Sequence, residues 1–581
     1  MECDLLVIGG GIIGSAVAHE AASRGLKTVL LEKSDFGSAT SAGSFKIIHG
    51  GLRYLQHLDA GRLLESAEEQ RLLRKNAPHL VKPLPFIVPC YGYLMKGRAA
   101  LRTACSIYEF LTRSRNKDIP QELHLPDHRV LSVEEITAIA PLIPRMQDSA
   151  RLRGGVIFYD CQMKNPDRLT LAVVRSAEKA GATVMNYTEV VGIETVKDQV
   201  SENGKGLCNK IVNVITKNSI TGEKNEYSPR YVINASGPWA ECIGRLFTDP
   251  SIAKGEKSTL YFSKGIQLVV PQIISKYALS LQSHGIDSDA VLKRGGRSFF
   301  LQPWKNMTLL GTSDTIVSGS EPHFSIKIEE IRDFLRELKS AYPSGILEPV
   351  QVRFAFGGLR AVSKEALSSF KRGQNRDGLV NTTRDEKIID HSVVKDWGGI
   401  TAKVQNLVSV VGVKYTTFRK VGEEVLNIIS KKEGLKSKSL TKNTSLFGSP
   451  DIYRLNEFYT DMKSSFSDIA DELEIDEIES LIDDYGTESQ NVVSEAFRLY
   501  KAQSMEPDDA LLLARIRYGL SNEYVHTLND LILRRLPDSS LGFPGLSYIR
   551  RAGLLMAHEL SWTSDKLESE INKTLSFFQF E

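Results

Sequence analysis

The stretch Met1–Gly14, MECDLLVIGGGIIG, sets a short apolar run against three glycines spaced Gly9-x-Gly11-x-x-Gly14. Asp4 to Ile8 predicts a buried strand, the Ala-rich segment Ile12 to Arg24 a helix, and Lys27 to Leu31 a second strand ending on the acidic Glu32. In a strand-turn-helix of this kind the glycines have separate tasks. Gly9 permits the tight turn, Gly11 lets the backbone approach a pyrophosphate, and Gly14 lets the helix pack closely on the strand, with the helix N-terminus facing the phosphates. Glu32 stands where an acid would bind a ribose 2′-hydroxyl. An isolated glycine motif is weak, but here the flanking strands and the distant acid occur together, which is the context a dinucleotide site requires. Glu32 argues against a 2′-phosphate, and hence against NADP; FAD and NAD both remain open on these residues alone.

At 581 residues the chain exceeds one hydrophobic core. Its 73 basic and 71 acidic residues leave a net charge of +2, which excludes a domain-wide basic footprint for nucleic acid. No run of eighteen apolar residues suggests a membrane span, and the glycine-broken N-terminus does not read as a signal peptide, so a cytoplasmic protein is expected. The six cysteines show neither a CxxC pair nor a metal spacing, and no metal site is expected.

Working outward, NAPHLVKPLPFIVPC from Asn76 carries four prolines and marks the way out of the nucleotide unit. Residues Tyr91 to Lys117 have helical apolar spacing with Lys96, Arg98, Arg102, Arg113, Arg115 and Lys117, consistent either with a solvated basic face or with a helix lying on a membrane surface. YVINASGPW predicts a strand delivered onto a small-residue turn, a second backbone approach to the cofactor. Strands between Thr259 and Gly311 predict an antiparallel sheet, followed by a helix from Lys327 to Ala341. Leu407 to Ile429 repeats the strand-glycine-helix pattern and is expected to close the nucleotide unit, and beyond Leu440 the chain turns helical.

SDFGSATSAGSFKIIHGGLRYLQH (34–57), with NAPHL, NASGPW, GTSDT and VKYTTFRK, resembles the FAD-dependent glycerol-3-phosphate dehydrogenases, and RYGLSNEYVHTLNDLILRR (517–535) is similar to that family's helical tail. The resemblance spans nearly the whole chain, and KIIHGGLRYLQ is its most specific block. It implies an α/β fold with a Rossmann-like FAD-binding domain of the glutathione-reductase/D-amino-acid-oxidase type, an antiparallel-sheet substrate domain and a helical C-terminal domain. The expected division is 1–90 for FAD binding, completed by about 150–258 and 385–435; 91–149 for a basic cap or membrane-facing segment; 259–384 for the substrate sheet; and 440–581 for the helical domain.

By the same resemblance FAD is held by Gly9, Gly11, Gly14, Glu32, Lys33, Ser44, Lys46, His49, Gly50, Gly51, Leu52, Gly237, Pro238, Trp239, Gly412, Lys414 and Thr416. Gly50 and Gly51 suit a close approach of backbone to a flat ring, and arginine suits bidentate phosphate capture. Arg53, Arg360, Arg384 and Lys414 match the positions that surround the substrate phosphate. Arg384 next to Asp385 and Glu386 is equally a surface ion pair. The activity implied is oxidation of sn-glycerol 3-phosphate to dihydroxyacetone phosphate by hydride transfer to flavin N5, with electrons passed to quinone at a peripheral membrane surface.

Departures matter too. The strand SKGIQLVVP places Gln267 at the catalytic position where the family carries a histidine, and Gln cannot take a proton. The base is then His49, Lys414 or a water. The family's Arg-Pro is Arg360-Ala361 here, and its Gly-Gly-Lys is Gly412-Val413-Lys414. A related flavin enzyme of another hydroxy acid or amine, or a flavin-binding protein without its base, are the alternatives.

Overall fold

The computed structural model describes residues 1–92, 97–146, 149–198, 208–247, 260–282, 298–319, 322–341, 351–362, 387–394, 400, 403–412, 414–434, 436–466, 475–503, 505–536 and 538–580. The opening stretch forms strand β1 (Glu2–Ile8), helix α1 (Ile12–Ser23) and strand β2 (Thr28–Leu31). β1 lies in parallel between β2 and the strand Lys224–Asn234, which in turn pairs in parallel with Leu407–Val411. The short strand Thr183–Met185 extends the other edge beyond β2.

Because side chains alternate across a strand, β1 serves two cores. Leu5 and Val7 meet Leu30, Ile233 and Val408 on the face covered by α1 and the helices Pro166–Lys179 and Phe418–Lys432. Leu6 and Ile8 meet Val29, Leu31, Val232 and Leu407 on the opposite face, covered by the hairpin Thr188–Asp198 and Cys208–Asn218. A parallel sheet buried on both faces needs this near-continuous apolar run. α1 is rich in alanine because its neighbours come close: a Cβ on Gly422 would lie 2.8 Å from the Ala16 carbonyl oxygen.

The second sheet is built on the strand Leu260–Pro271, which pairs antiparallel with Met307–Gly311, Thr315–Gly319 and Phe354–Ala361. It continues through Ser298–Trp304 and Ala278–Gln282 to strand β4 (Val81–Pro89) and Gly155–Met163, ending on strand β3 (Ile47–Ile48). The expected division puts the strands at 47–48, 81–89 and 155–163 in the FAD-binding unit. They belong instead to the second sheet, and β4 pairs in parallel with Ala278–Gln282, so that sheet is mixed. The helix Ile328–Ala341 packs Phe334, Leu335 and Leu338 on its far side.

Two helices join the layers. α2 (Ala60–Asn76), N-capped by Asp59, packs Leu73 between Ala16 of the first unit and Ile48 of the second sheet, and α3 (Arg98–Leu111) packs Leu101 and Cys105 on Val156 and Leu52. α3 occupies part of the basic segment expected as one helix from Tyr91. It buries Leu101, Cys105 and Tyr108 and exposes Ile107 and Phe110. The regular elements described within 440–580 are all helices, around two cores centred on Leu481, Val492 and Leu499 and on Ile516, Leu531 and Ile549. None of the six cysteines forms a disulfide, and no helix among the described residues is long and apolar enough to cross a membrane.

Candidate functional site

The glycine turn is shaped by close approach. Gly9 has φ of 107°, and a Cβ there would meet the Ala235 carbonyl oxygen at 2.7 Å; a Cβ on Gly14 would overlap the carbonyl of Gly9. With Gly11 as its N-cap, α1 has no side-chain cap of its own and no acid in its first turn. Its Ile12 N–H donates to Ser41 Oγ at 3.0 Å, from the segment that follows Glu32. Glu32 accepts from the backbone N–H of Gly10 at 2.7 Å and of Ser34 at 2.9 Å, and burial raises its carboxyl above the usual range. Across the turn, Gly237–Trp239 forms a short 3-10 turn anchored by Asn234, whose amide donates to the Ala240 carbonyl at 3.0 Å. The Lys33 ammonium lies 4.8 Å over the Trp239 ring.

These residues fit a dinucleotide on grounds of their own. The positive end of α1 faces Ser41, where phosphates are favoured. Two buried hydroxyls among the expected cofactor ligands, Ser44 Oγ and Thr416 Oγ1, have no hydrogen-bond partner among the described residues, as expected of groups meant for a ligand.

Beyond this turn, β3 leads into His49-Gly50-Gly51-Leu52-Arg53. Gly50 N–H donates to Asp160 Oδ1 at 2.6 Å, and Gln70 Nε2 donates to the same oxygen at 2.9 Å and to the Ile48 carbonyl at 2.7 Å. Gly51 takes φ of 90°, and Leu52 opens the 3-10 turn Leu52–His57 that presents Arg53 and Tyr54. A Cβ on Gly50 would overlap the Tyr108 hydroxyl of α3, so this turn is pinned from both sides.

Lys414 enters from just past the strand Leu407–Val411, beyond Gly412. Its ammonium donates to Ser66 Oγ at 2.6 Å and lies 4.9 Å from the Tyr54 ring, and His49 lies 6.1 Å from that ring. Burial, then the charges of Lys414 and Arg53, depress the His49 imidazole to about 3. His49 is therefore neutral at ordinary pH, and a weaker base than a free imidazole. The structure thus brings together His49, Arg53 and Lys414.

Gln267 and Arg360 lie on the second sheet. In the amide orientation that satisfies both ends, Gln267 donates to the carbonyls of Gly43 at 3.2 Å and Phe356 at 3.0 Å and accepts from Thr312 Oγ1 at 3.1 Å. It ties the segment before His49 to the sheet and is not placed as a base. Gly43 packs so closely on Gly357 that a Cβ would overlap its carbonyl, and Thr40 Oγ1 donates to the Leu359 carbonyl at 2.9 Å. Arg360 lies 3.2 Å from Asp314, which lowers its free positive charge. Lys46 is buried with its ammonium 4.7 Å from the Trp304 ring and 4.5 Å from the Phe356 ring, and burial lowers it to about 8. Arg384 lies outside the described residues.

Asp160, Gln70, Ser66 and Tyr108 were missed by sequence reasoning. Asp160 had a legible signal, a lone acid inside the apolar strand GVIFYDCQM, whereas Ser66 and Gln70 look like the polar face of any helix. Burial raises Asp160 to about 7. Native Asp160 therefore holds a proton between about pH 4 and 7 while the unfolded chain does not, so its contribution to stability is full below pH 4 and lost as pH rises to 7. Asp160→Asn, which keeps the acceptor oxygen, is expected to flatten urea-midpoint stability across that window by up to roughly 4 kcal/mol. An unchanged slope would refute the assignment.

Residues 4–385 match the family model described as FAD dependent oxidoreductase, DAO, and residues 439–567 match the C-terminal domain of alpha-glycerophosphate oxidase. A glycerol-3-phosphate dehydrogenase of Synechocystis is 28% identical over 579 residues, covering 98% of this chain and 95% of the relative. A mitochondrial glycerol-3-phosphate dehydrogenase of Arabidopsis thaliana is 28% identical over 600 residues, covering 99% and 86%. Among solved structures, the glycerol-3-phosphate dehydrogenase of Bacillus halodurans complexed with FAD shares the fold, with a TM-score of 0.70 at 23% identity over 99% of this chain and 94% of that one.

Proposed function

The chain belongs to the DAO family of FAD-dependent oxidoreductases, and from that premise we propose that it oxidises the secondary alcohol of sn-glycerol 3-phosphate to dihydroxyacetone phosphate. The observation that carries this reading is the convergence of Arg53 and Lys414 on a neutral His49, beside the paired glycines Gly50 and Gly51. FAD, when bound, supplies the two-electron acceptor. Arg53 and Lys414 hold the phosphate dianion, offsetting a desolvation cost that one exposed pair would not. Binding energy from that end orients C2. His49 takes the hydroxyl proton as the C2 hydrogen leaves with its electron pair; general base help of this kind is worth roughly 10²–10⁴-fold.

Quinone at a membrane surface is the proposed electron acceptor. It is supported by α3, which turns Ile107 and Phe110 outward beside the exposed Arg102 and packs Tyr108 against the Gly50 turn. The Arg360–Asp314 pair and the structural engagement of Gln267 favour a second reading, an enzyme of another hydroxy acid or amine.

Anaerobic reduction of the bound flavin separates the two. Glycerol 3-phosphate is expected to bleach the flavin where glycerol and lactate do not, and reoxidation by a short-chain quinone on anionic vesicles is expected to outpace reoxidation by oxygen. Absence of bleaching with glycerol 3-phosphate sinks the substrate reading, and faster reoxidation by oxygen sinks the quinone.

A further inference from the structure

Three residues past Glu32, the chain reaches Asp35, a fully buried carboxylate whose ion-pair partners lie in the C-terminal domain. Arg535 grips it with both ends of its guanidinium, Nη1 to Oδ2 at 2.9 Å and Nη2 to Oδ1 at 2.8 Å, and Arg534 pairs with it through Nε. These arginines are themselves fixed: Arg534 to Asp530 at 2.8 Å, Arg535 to the Glu523 carbonyl at 2.7 Å, while the Arg535 carbonyl accepts from Arg168 Nη2 at 2.7 Å. Arg168 also pairs with Glu523, and the Tyr187 hydroxyl donates to Asp530 at 2.5 Å.

The next two residues carry this grip to the glycine turn. Phe36 meets the ring of Tyr524 edge-on at 5.3 Å on one side, and on the other it fills the place a Cβ on Gly10 would take, 2.5 Å from its Cδ1. Gly37 N–H donates to the Gly10 carbonyl at 3.0 Å. Gly10 N–H, in turn, donates to Glu32. A continuous path of hydrogen bonds and packed rings therefore runs from Arg534, Arg535 and Tyr524 through Asp35-Phe36-Gly37 to the turn and acid that receive the dinucleotide.

We propose that the C-terminal helical domain is a clamp on the FAD site, with Arg534 and Arg535 acting as positioning residues that hold Asp35 and Phe36 so that Gly10 and Glu32 keep their cofactor-binding geometry. Docking of the domain and retention of FAD are then thermodynamically linked, each strengthening the other by the same factor. The inference depends on FAD binding and not on the identity of the substrate.

The test uses the full-length holoenzyme and follows flavin fluorescence as FAD is released on dilution. Arg535→Gln is expected to release FAD at least tenfold faster than the unaltered protein, and Arg535→Lys to restore part of the loss. Arg517→Gln, which removes pairs to Glu495 and Glu559 inside the helical domain, is expected to leave release unchanged. Hydrogen exchange on the unaltered chain reads the reciprocal effect, with FAD expected to slow exchange of the amides of 528–536 at least tenfold and those of 489–503 far less. Release at the normal rate from Arg535→Gln would overturn the clamp. If that variant does not fold, exchange at 528–536 that ignores FAD overturns it equally.

Discussion

Arg53→Ala is expected to lower kcat/KM for glycerol 3-phosphate by about 10²–10³-fold with the flavin content unchanged. Removing one partner of a desolvated, hydrogen-bonded charge pair costs about 2–5 kcal/mol, much of it the penalty of leaving the other charge unpaired. The dianion would keep Lys414, so the loss falls short of abolition. The same substitution removes one of the two cations that depress His49. The imidazole then rises from about 3 toward its ordinary value, and since the neutral ring is the proton acceptor, the acid limb of the kcat profile moves to higher pH. Steady-state kinetics between pH 4 and 8 read both effects. An unchanged kcat/KM for glycerol 3-phosphate would remove Arg53 from phosphate binding.

Gly14→Ala is expected to have the larger effect on the cofactor. The new methyl group would overlap the Gly9 carbonyl, which is backbone of the glycine turn itself and has nowhere to retreat, because Gly9 is already pressed on Ala235 and Ser236. Either α1 moves off β1 or the turn opens. Overpacking of this kind costs about 1–3 kcal/mol, and more where backbone meets backbone, and it displaces the atoms that cradle the pyrophosphate. The purified variant is expected to carry less than about a tenth of the normal flavin, measured by absorbance against protein. Gly25→Ala makes the contrast. No atom lies within 4 Å of its Cβ position, so only the strain of φ at 82° remains, about 1 kcal/mol. It should lower the melting temperature slightly and keep its FAD. Equal flavin content in the two variants would show that the close approach at Gly14 is not what holds the site.

Local patterns carried much of this architecture. The run from β1 to Glu32 was legible because strand, turn, helix and acid each have a signature and their spacings agree. The return at Leu407–Val411 was legible for the same reason. Sheet membership was not: Val81–Pro89 and Gly155–Met163 read as strands, yet alternation says nothing about which partner a strand takes, and the prolines of the first suggested an exit from the fold. Within the site, His49, Arg53 and Lys414 could be named, but their mutual approach depends on Ser66, Gln70 and Asp160, whose types are ordinary in a helix or strand. Gln267 shows the opposite case. Its chemistry ruled out a base, while its use as a tie between Gly43 and the second sheet required the packing of glycines on both elements.

The order of strands in the parallel sheet has a further consequence for how the protein is made. β1 leaves the ribosome well before its partners: its neighbour Lys224–Asn234 follows more than two hundred residues later, and that strand's own outer partner, Leu407–Val411, some four hundred later. At roughly 5–20 residues per second this is a wait of about 20–80 s. Through that interval the apolar edge of β1 and β2 is an incomplete sheet, open to other chains. The first fourteen residues carry the glycine turn, yet the sheet beneath them is closed by segments made some two hundred and four hundred residues later, so cofactor capture has to wait for them.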